Sequence, residues 1–403
     1  MPTLADIRAA HDRIAPELPA TPCREALGYA PAIPGRIFLK LENLHRTGSF
    51  KERGALNRLL TMSPEDRARG VITASAGNHA QALALHAQRL GIDTLVVMPE
   101  ATPLIKVSNT RQYGARVVLH GATFDDAVDE ALRRREAEGR ILVPAFNDEA
   151  VIAGQGTLGL ELDQQLERID RVVVPIGGGG LISGIALAIK ALRPKVKVIG
   201  VEATAAPSAL TSRRAGEIVT VTSTETIADG IAVKRIGDLT FPLIEDLVDD
   251  IVTVDEPQIA SAVMQLLERQ KTLTEGAGAA GMAALLAGKI ATRPSDHTVV
   301  VLCGGNIDIN ILARIIDRGL VADGRLVRLK VTGIDRPGLL AEVTASVAEH
   351  GANVLEIAHS REFADISVGH VEVLLTLETR GREHIAELID SLSHDGDRAV
   401  ALS

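Results

Sequence analysis

The sequence of 403 residues contains no tryptophan, and aromatic residues make up only 2% of it. A protein that reads nucleobases by stacking needs such side chains, so this scarcity argues against a nucleic-acid-binding protein. The formal net charge of −9 supports the same conclusion, because an acidic protein repels a phosphate backbone on average. A cationic pocket for a small anion stays compatible with this charge.

Cysteine is also scarce. Cys23 and Cys303 lie far apart in the sequence and lack the spacing of a metal site, so we expect two free thiols and a cytoplasmic location. No segment approaches the roughly 20 apolar residues needed to cross a bilayer, and the first residues lack the apolar run of a signal peptide. We therefore expect neither a nucleic-acid partner nor a membrane partner.

Over its first three quarters the sequence alternates short β-branched segments with amphipathic ones. Short continuous apolar runs are typical of buried parallel strands, and the amphipathic segments predict helices between them. The expected strands are residues 94–98, 115–120, 171–176, 196–201 and 298–302, and the expected helices are residues 78–90, 124–138 and 181–192. This order predicts an α/β fold with a doubly wound parallel sheet, which binds ligands beyond the carboxyl ends of its strands.

A different pattern follows a polar, glycine-containing segment at residues 318–325, which we interpret as a linker. The expected strands beyond it are residues 326–332, 353–359, 368–379 and 398–402, and the expected helices are residues 337–349 and 383–393. The order βαββαβ within about 80 residues is that of a ferredoxin-like domain. The predicted organisation is therefore a first region of residues 1–317, the linker, and a small domain of residues 326–403.

Four consecutive glycines, residues 177–180, follow a predicted strand and open a predicted helix. Without Cβ atoms, several backbone N–H groups can converge on one anion, and the helix N-terminus adds a favourable partial charge. A tight turn alone does not need four glycines, so the segment predicts a phosphate-binding loop. It matches neither a P-loop nor a dinucleotide-binding motif.

Two further segments bring polar groups to predicted helix starts. Residues 48–55 include Lys51, with Ser49 before it as a candidate cap. A positive helix end disfavours the charged form of a lysine, which helps its amine act as a nucleophile. Residues 73–81 offer a hydroxyl, backbone amides and a carboxamide that suit a carboxylate. Taken alone, the lysine is more simply a solvated surface residue, and residues 73–81 are as easily an ordinary helix cap.

Together and in this order, the three segments resemble the fold-type II pyridoxal-phosphate enzymes, above all the threonine dehydratase and serine racemase family. Further matching segments lie at residues 151–157, 225–231 and 302–306, so the resemblance spans about residues 5–315. The later part of the chain, with residues 333–340, resembles an ACT domain. The resemblance implies a two-lobed catalytic region followed by an ACT domain, a kind of domain that often binds amino acids.

The resemblance also implies roles for individual residues. Lys51 is expected to hold pyridoxal 5'-phosphate covalently and then to move the substrate Cα proton, with Glu275 as a supporting acid nearby. Cys303 stands where the family usually has a serine that faces the pyridine nitrogen, and a small buried hydrophobic residue is the alternative reading. The other residues expected to contact the cofactor are Phe50, Asn78, Gly177, Gly178, Gly179, Gly180 and Leu181. The residues expected to bind the substrate carboxylate are Ser75, Asn78 and His79.

Ala76 separates the two nearest members of that family. In the racemase-like pattern this position is a serine that serves the opposite face of the substrate, whereas a methyl group cannot move a proton. Cys303 favours the same conclusion, because a neutral thiol leaves the pyridine nitrogen largely unprotonated and disfavours a long-lived carbanion. We therefore expect an ammonia-lyase that acts on L-threonine, and also on L-serine.

Several alternatives stay open at this point. A lyase acting on another hydroxyamino acid, such as threo-3-hydroxyaspartate, would use the same residues, and a serine racemase is the other family member. A protein of a different class, a non-catalytic amino-acid sensor, is disfavoured by the intact Lys51 and Asn78. Glu202 lies where some relatives bind a divalent cation, but Ser208 replaces the second acid there, so no metal is expected. The resemblance further implies a homo-oligomer, a dimer or tetramer, and an amino-acid effector at the ACT-like domain.

Overall fold

A computed structural model of the chain describes residues 1–29, 32–361, 367, 369–393 and 397–402. The chain divides into two compact units, Met1–Ile307 and Asp308–Ser403. Among the described residues, no helix is both long enough and apolar enough to cross a bilayer.

The first unit alternates strands and helices along the chain. Its strands are β1 (Cys23–Glu25), β2 (Arg36–Leu41), β3 (Val71–Ala74), β4 (Thr94–Met98), β5 (Arg116–Leu119), β6 (Ile141–Leu142), β7 (Arg171–Pro175), β8 (Lys197–Ala203), β9 (Asp250–Val254) and β10 (His297–Leu302). Its helices are α1 (Leu4–Ile14), α2 (Lys51–Leu60), α3 (Pro64–Arg69), α4 (Asn78–Arg89), α5 (Leu104–Gln112), α6 (Phe124–Glu138), α7 (Glu149–Gln165), α8 (Gly180–Leu192), α9 (Ser208–Ala215), α10 (Thr240–Leu247), α11 (Glu256–Gln270) and α12 (Gly276–Leu286). Short 3-10 turns lie at Glu42–Leu44 and Asp229–Ile231.

Two sheets form the two lobes of this unit. The larger sheet has the order β1-β2-β10-β7-β8-β9 and is parallel except for β1, which pairs antiparallel with β2. The smaller sheet has the order β5-β4-β3-β6 and is parallel throughout. In β7 and β10 nearly every residue is buried, as expected of parallel strands covered on both faces. The predicted two-lobed doubly wound α/β fold is confirmed.

The predicted strands and helices of this unit are present, with ends that differ by at most two residues, and α6 has its predicted bounds. Strand β2 was missed because Arg36 and Lys40 interrupt its apolar sequence. In the structure Lys40 is fully buried, and its ion pair with Glu161 makes that burial possible. That partner is not visible in the local sequence.

The second unit begins with a helix and continues as a small antiparallel domain. Its elements are α13 (Ile309–Ala322), β11 (Leu326–Ile334), α14 (Leu339–Glu349), β12 (Asn353–Ser360), β13 (His370–Glu378), α15 (Arg382–Ser391) and β14 (Arg398–Leu402). From β11 onward the order is βαββαβ, and the sheet order β12-β13-β11-β14 is that of the predicted ferredoxin-like domain. Its core includes Leu329, Leu375 and Leu388. The predicted strand 368–379 starts in the structure at His370, and residue 368 lies outside the described residues.

The predicted linker of residues 318–325 needs a correction. Residues 318–322 are the last residues of α13, so only residues 323–325 connect this helix to β11. Gly319 and the acidic residues near it make the sequence resemble the end of a helix. A single glycine costs a helix only about 1 kcal/mol, and the apolar spacing from Ile309 to Val321 outweighs that cost.

Candidate active site

Four loops meet at the carboxyl ends of the parallel strands of the first unit. They follow β2, β3, β7 and β10, and the first of them leads into α2, which starts at Lys51. Ser49 forms an isolated antiparallel bridge with Gly304, and the Phe50 N–H donates to the Cys303 carbonyl at 3.0 Å. The loop after β2 is thereby joined to the loop after β10, at the edge where doubly wound sheets bind ligands.

Lys51 is half-buried, and its amine has few polar neighbours. Its Nζ donates to the carbonyl oxygen of Ala145 at 3.0 Å and lies 5.0 Å from the centroid of the Phe50 ring. Burial lowers the pKa of Lys51 to about 8, although Cys303 and Glu275 act in the opposite direction. Near pH 8 much of this amine is therefore neutral, which is the form that attacks a carbonyl.

Ser49 does not cap α2, contrary to the expectation from the sequence. The N-cap is Phe50 in a helical conformation, and no side chain accepts a hydrogen bond from the first turn. The bridge to Gly304 fixes the backbone of Ser49, and its Oγ is buried without a hydrogen-bond partner among the described residues. A buried hydroxyl of this kind, next to Lys51, is a free polar group for a ligand.

The four glycines form a closely packed turn between β7 and α8. Gly179 is the N-cap of α8 and has a left-handed φ of +92°. A Cβ on Gly178 would lie 2.3 Å from ring carbons of Phe146, so a larger residue does not fit there. The peptide is also held by Thr240, whose Oγ1 donates to the Gly178 carbonyl at 2.7 Å.

This turn leaves its own donors free. The backbone N–H groups of residues 177–179 donate to no described residue, and the first N–H groups of α8 have no acceptor within the helix. Free donors at a helix N-terminus are a favourable site for an anion. The donor set therefore fits the phosphate that the sequence predicts.

A chain of amide and carboxyl groups connects the loops after β3 and β10. The Asn78 Nδ2 donates to Glu275 Oε1 at 2.8 Å, and the Asn306 Nδ2 donates both to Asn78 Oδ1 at 2.7 Å and to the Thr47 carbonyl at 2.6 Å. Asn78 is thus fixed in orientation and keeps one amide proton for a ligand.

Glu275 and Cys303 are both buried beside this chain. Burial, with a smaller contribution from the negative charge of Asp229, raises the pKa of Glu275 to about 7. Burial, reinforced by Glu275, raises the pKa of the Cys303 thiol well above its usual range. Cys303 is therefore a neutral thiol at physiological pH, as the sequence analysis assumed.

The ring of His79 is buried and hydrogen-bonded within the protein. Its Nε2 lies 2.9 Å from the Val143 carbonyl, and the residue is 2% exposed. Burial, with a smaller effect of the Lys51 charge, lowers the pKa of His79 to about 4, so the ring is neutral. What His79 can offer a substrate is its backbone N–H in the first turn of α4. In the same loop the Ser75 Oγ accepts from the Gly77 N–H at 3.3 Å.

Two ion pairs cross between the lobes at the edge of the cleft. Lys106 on α5 pairs with Asp229 at 2.7 Å, and Lys234 pairs with Asp125 on α6 at 3.0 Å. Helices α5 and α6 belong to the smaller lobe, whereas residues 229 and 234 follow β8 in the larger one. The pairs therefore connect the two lobes at this edge, each with a weak contribution because its groups are partly or largely exposed.

The structure adds residues that the sequence analysis did not single out. Asn306 ends the family-like segment of residues 302–306, directly after two glycines, so its position after β10 indicates a role at the site. Ala145 and Phe146 contact Lys51 and the glycine turn, yet they lie in a segment with no distinctive pattern.

The acid considered for a cation site has other partners. Both carboxylate oxygens of Glu202 accept backbone N–H groups, from Ala209 and Leu210, at 2.8 Å each, so this side chain closes the start of α9. Burial raises the pKa of Glu202 to about 7. Among the described residues, no group of three or more histidine, cysteine, aspartate or glutamate side chains could hold a metal ion.

Comparison with known proteins identifies the family of each part of the chain. Residues 14–304 match the family described as pyridoxal-phosphate dependent enzyme, and residues 323–397 match the ACT domain. The chain is 50% identical to an L-threonine ammonia-lyase of Geobacter sulfurreducens over 97% of each chain. It is 48% identical to an L-threonine ammonia-lyase of Thermotoga maritima over 91% of this chain and 92% of the other. Among solved structures, maize serine racemase superposes with a TM-score of 0.74 at 37% identity, over 80% of this chain and 98% of the racemase.

Proposed function

Since the chain belongs to the family of pyridoxal-phosphate dependent enzymes, with an ACT domain after the catalytic region, we propose that it is an L-threonine ammonia-lyase. The reaction converts L-threonine to 2-oxobutanoate and ammonia; the water lost from the substrate is regained when the nitrogen is released. The observation that carries the proposal is a lysine amine with a pKa of about 8 in one cleft with a turn of free backbone N–H groups.

Pyridoxal 5'-phosphate is the cofactor of this family, and the polar groups of the cleft fit it. The N–H groups of residues 177–181 would hold its phosphate, and Phe50 would flank its ring. Asn78 would donate its remaining amide proton to the ring hydroxyl, and the neutral thiol of Cys303 would face the pyridine nitrogen. When bound, the cofactor supplies an electron sink for negative charge at the substrate Cα.

The residues of the chain then divide the work of the reaction. Lys51 would hold the cofactor and, as a free amine, would take the proton from the substrate Cα. The hydroxyl of Ser75 and the backbone N–H groups of Asn78 and His79 would hold the substrate carboxylate. By the family resemblance, Ala76 would present a methyl group where a racemase has a serine as the second proton donor, and a methyl group cannot move a proton. Loss of the β-hydroxyl is thus favoured over racemisation.

Replacement of the lysine tests the proposal directly. Lys51→Ala should abolish both turnover of L-threonine and the visible absorption band of the cofactor-loaded protein, whereas the exposed Lys197→Ala should change neither. Borohydride reduction and peptide mapping of the wild type should find the pyridoxyl group on Lys51. An active Lys51→Ala variant, or a pyridoxyl group on another residue, would refute the assignment.

Serine racemase is the second candidate, because the maize enzyme of that name shares the fold. The substrate panel consists of L-threonine, L-serine and threo-3-hydroxyaspartate, with detection of 2-oxo acids and of D-serine. We expect 2-oxobutanoate from threonine, pyruvate from serine, and no D-serine. Formation of D-serine at a rate comparable with elimination would favour the racemase.

The ACT domain supports a proposal about regulation. The loop before α14 ends in Gly338, which has a left-handed φ of +98°, and Arg336 pairs with Glu342 in the first turn. Free N–H groups at this helix start can receive an amino-acid carboxylate. We propose that isoleucine or valine binds there and alters the saturation curve for threonine, which would suit a role in isoleucine biosynthesis. Neither binding heat nor a changed curve with the full chain would contradict this proposal.

Self-association and a cytoplasmic location also stay proposals. Sedimentation of the cofactor-loaded full chain should give a dimer or tetramer, and a monomer at micromolar concentration would contradict that expectation.

A further inference from the structure

A group of fully buried charged residues lies directly beneath the start of α2, and the proposed reaction does not use it. We call this group the α2 ion network; it consists of Lys40, Glu42, Arg53 and Glu161. Each member is at most 2% exposed. Two positive and two negative charges are thus enclosed within the first unit. One of these residues, Arg53, lies two residues along the chain from Lys51.

Arg53 is the centre of the α2 ion network. Its Nε and Nη2 donate to the two oxygens of Glu42 at 2.7 and 2.8 Å. Its Nη1 and Nη2 donate to the two oxygens of Glu161 at 2.5 and 2.9 Å, and Nη1 also donates to Thr157 Oγ1 at 3.1 Å. All five N–H donors of the guanidinium are therefore used, in a planar arrangement that lysine cannot reproduce.

The network stays ionised in spite of its burial. Burial opposes the charge of Glu42, but Arg53 and His45 outweigh it and hold the pKa of this carboxyl well below its usual value. Burial likewise opposes the charge of Arg53, and Glu42 and Glu161 outweigh it and raise its pKa. Lys40 is the second positive charge of the network; it forms an ion pair with Glu161 and donates a hydrogen bond to the Thr21 carbonyl at 2.7 Å.

Stability alone does not account for such a network. Ion pairs in a protein interior repay little more than the cost of removing them from water, and apolar side chains of similar size often serve as well. What the ionic contacts add is direction, since each bidentate pair fixes both distance and angle. The bidentate contacts of Arg53 therefore orient the segments that they join.

The network joins the segments that determine where the Lys51 amine lies. Arg53 belongs to the first turn of α2, Glu42 to the turn after β2, and Glu161 to α7. Helix α7 follows the segment of Ala145, whose carbonyl accepts the hydrogen bond from Lys51. The two helices touch through their backbones, since a Cβ on Gly154 would lie 2.7 Å from the Arg53 carbonyl oxygen.

A second carboxylate holds the same turn of α2 from the other side. Glu52 accepts the Thr47 N–H at 2.5 Å and lies 3.0 Å from Nε2 of His86 on α4. Helix α4 begins with Asn78, so this contact relates the lysine to the loop proposed for the substrate. The two residues that follow Lys51 are therefore both held in orientation, Glu52 by α4 of the smaller lobe and Arg53 by Glu42 after β2 and by Glu161 on α7.

We propose that Arg53, through its paired contacts with Glu42 and Glu161, is a positioning residue that sets the location of the Lys51 amine for proton transfer. The proposal rests on the assignment of Lys51 as the cofactor lysine. All five N–H donors of Arg53 are used by other residues of the chain, so Arg53 would act through α2 and not by contact with cofactor or substrate. Because misplacement by about 1 Å can cost about a hundredfold in rate, a small tilt of the first turn should appear in turnover.

The test compares two buried arginines that each bind two carboxylates. Arg53→Lys keeps the charge but cannot satisfy both partners. Arg140→Lys is the matched control, since Arg140 is 7% exposed and donates to Glu138 at 2.7 Å and to Asp93 at 2.6 Å in the smaller lobe. The measurements on cofactor-loaded protein are the thermal midpoint, kcat and KM for threonine, and the visible absorption band as a function of pH.

We expect both variants to lose thermal stability and only Arg53→Lys to change the chemistry. For Arg53→Lys, kcat should fall about tenfold or more with KM little changed, and the pH midpoint of the visible band should move by about half a unit or more. Equal kcat and equal spectra in the two variants would overturn the proposal and leave the network a purely structural role.

A second variant guards against failure of Arg53→Lys to fold. Glu161→Gln keeps the size of the side chain and removes one charge, and it should produce the same spectral and kinetic changes in milder form. A wild-type spectrum and kcat in this variant would again overturn the proposal. Failure of the Lys51 assignment is distinguished by the borohydride mapping of the wild type, which is independent of Arg53.

Discussion

The glycine turn gives the sharpest prediction, because the structure shows what a single methyl group would meet. In Gly178→Ala the new Cβ would lie 2.3 Å from ring carbons of Phe146. Carbon atoms in contact are separated by about 3.5–4.0 Å, so the ring or the turn must move by about 1–2 Å. Movement of the turn strains the hydrogen bond from Thr240 to the Gly178 carbonyl, which is 2.7 Å long.

The effect should appear mainly in cofactor binding. A hydrogen bond to a charged group contributes about 1.5–3 kcal/mol, and loss of one N–H contact to the phosphate should therefore weaken pyridoxal-phosphate binding by about 10- to 100-fold. Overpacking should also cost about 1–3 kcal/mol of unfolding free energy. Ile189→Val is the control, since it removes one buried methylene from the same helix, α8, without contact to the turn.

Absorption titration of the cofactor-free proteins with pyridoxal phosphate measures the dissociation constants, and thermal unfolding measures stability. Gly178→Ala should lose affinity, whereas Ile189→Val should lose only a little stability. Adding Phe146→Ala to Gly178→Ala should recover part of the affinity, because it removes the ring that the methyl group meets. Wild-type affinity in a folded Gly178→Ala protein would refute the phosphate assignment of this turn.

Three further predictions concern other parts of the first unit. In the cofactor-free protein, competitive amine labelling should give Lys51 a midpoint near pH 8. The unfolded chain binds this proton more tightly, so the free energy of unfolding should increase as the pH rises from about 8 to the usual pKa of lysine. An ordinary lysine midpoint would contradict burial as the cause of the lowered pKa. Lys106→Met removes the ion pair with Asp229 between the lobes. Such pairs contribute about 1 kcal/mol at most, so KM for threonine should rise only a few-fold, and kcat should stay unchanged. An unaltered KM would exclude this pair from lobe closure. Glu202→Ala leaves two N–H groups without acceptors and should cost about 1–2 kcal/mol in thermal unfolding. Stabilisation of the wild type by Mg²⁺ that is lost in Glu202→Ala would indicate a cation site instead.

Much of the fold could be predicted because its signals are local. Strand β4 and helix α6 have their predicted bounds, since a short β-branched run and an amphipathic run with a capping box each specify one element. The linker prediction was wrong in its extent for a local reason as well, because Gly319 resembles a break and is tolerated inside α13. Strand β2 was missed because the partner that allows Lys40 to be buried is distant in sequence.

The candidate site divides in the same way. The glycine turn and Lys51 could be selected from their position at a strand end or a helix start, together with the family resemblance. The hydrogen-bond partner of the His79 ring could not be predicted, because it is a carbonyl on a different strand-end segment. Ser49 likewise resembled a cap until the bridge to Gly304 was known.

The sequence by itself determined which chemical groups this protein has and where chain segments start and stop: four glycines for an anion, a lysine at a helix start, and a methyl group at Ala76. Only the tertiary structure decided how those groups are oriented. Arg53, for example, binds Glu42 and Glu161, which lie 11 and 108 residues away along the chain. Hydrogen bonds act over about 3 Å and depend on angle, so contacts of this kind exist only after the sheets and helices have brought distant segments together.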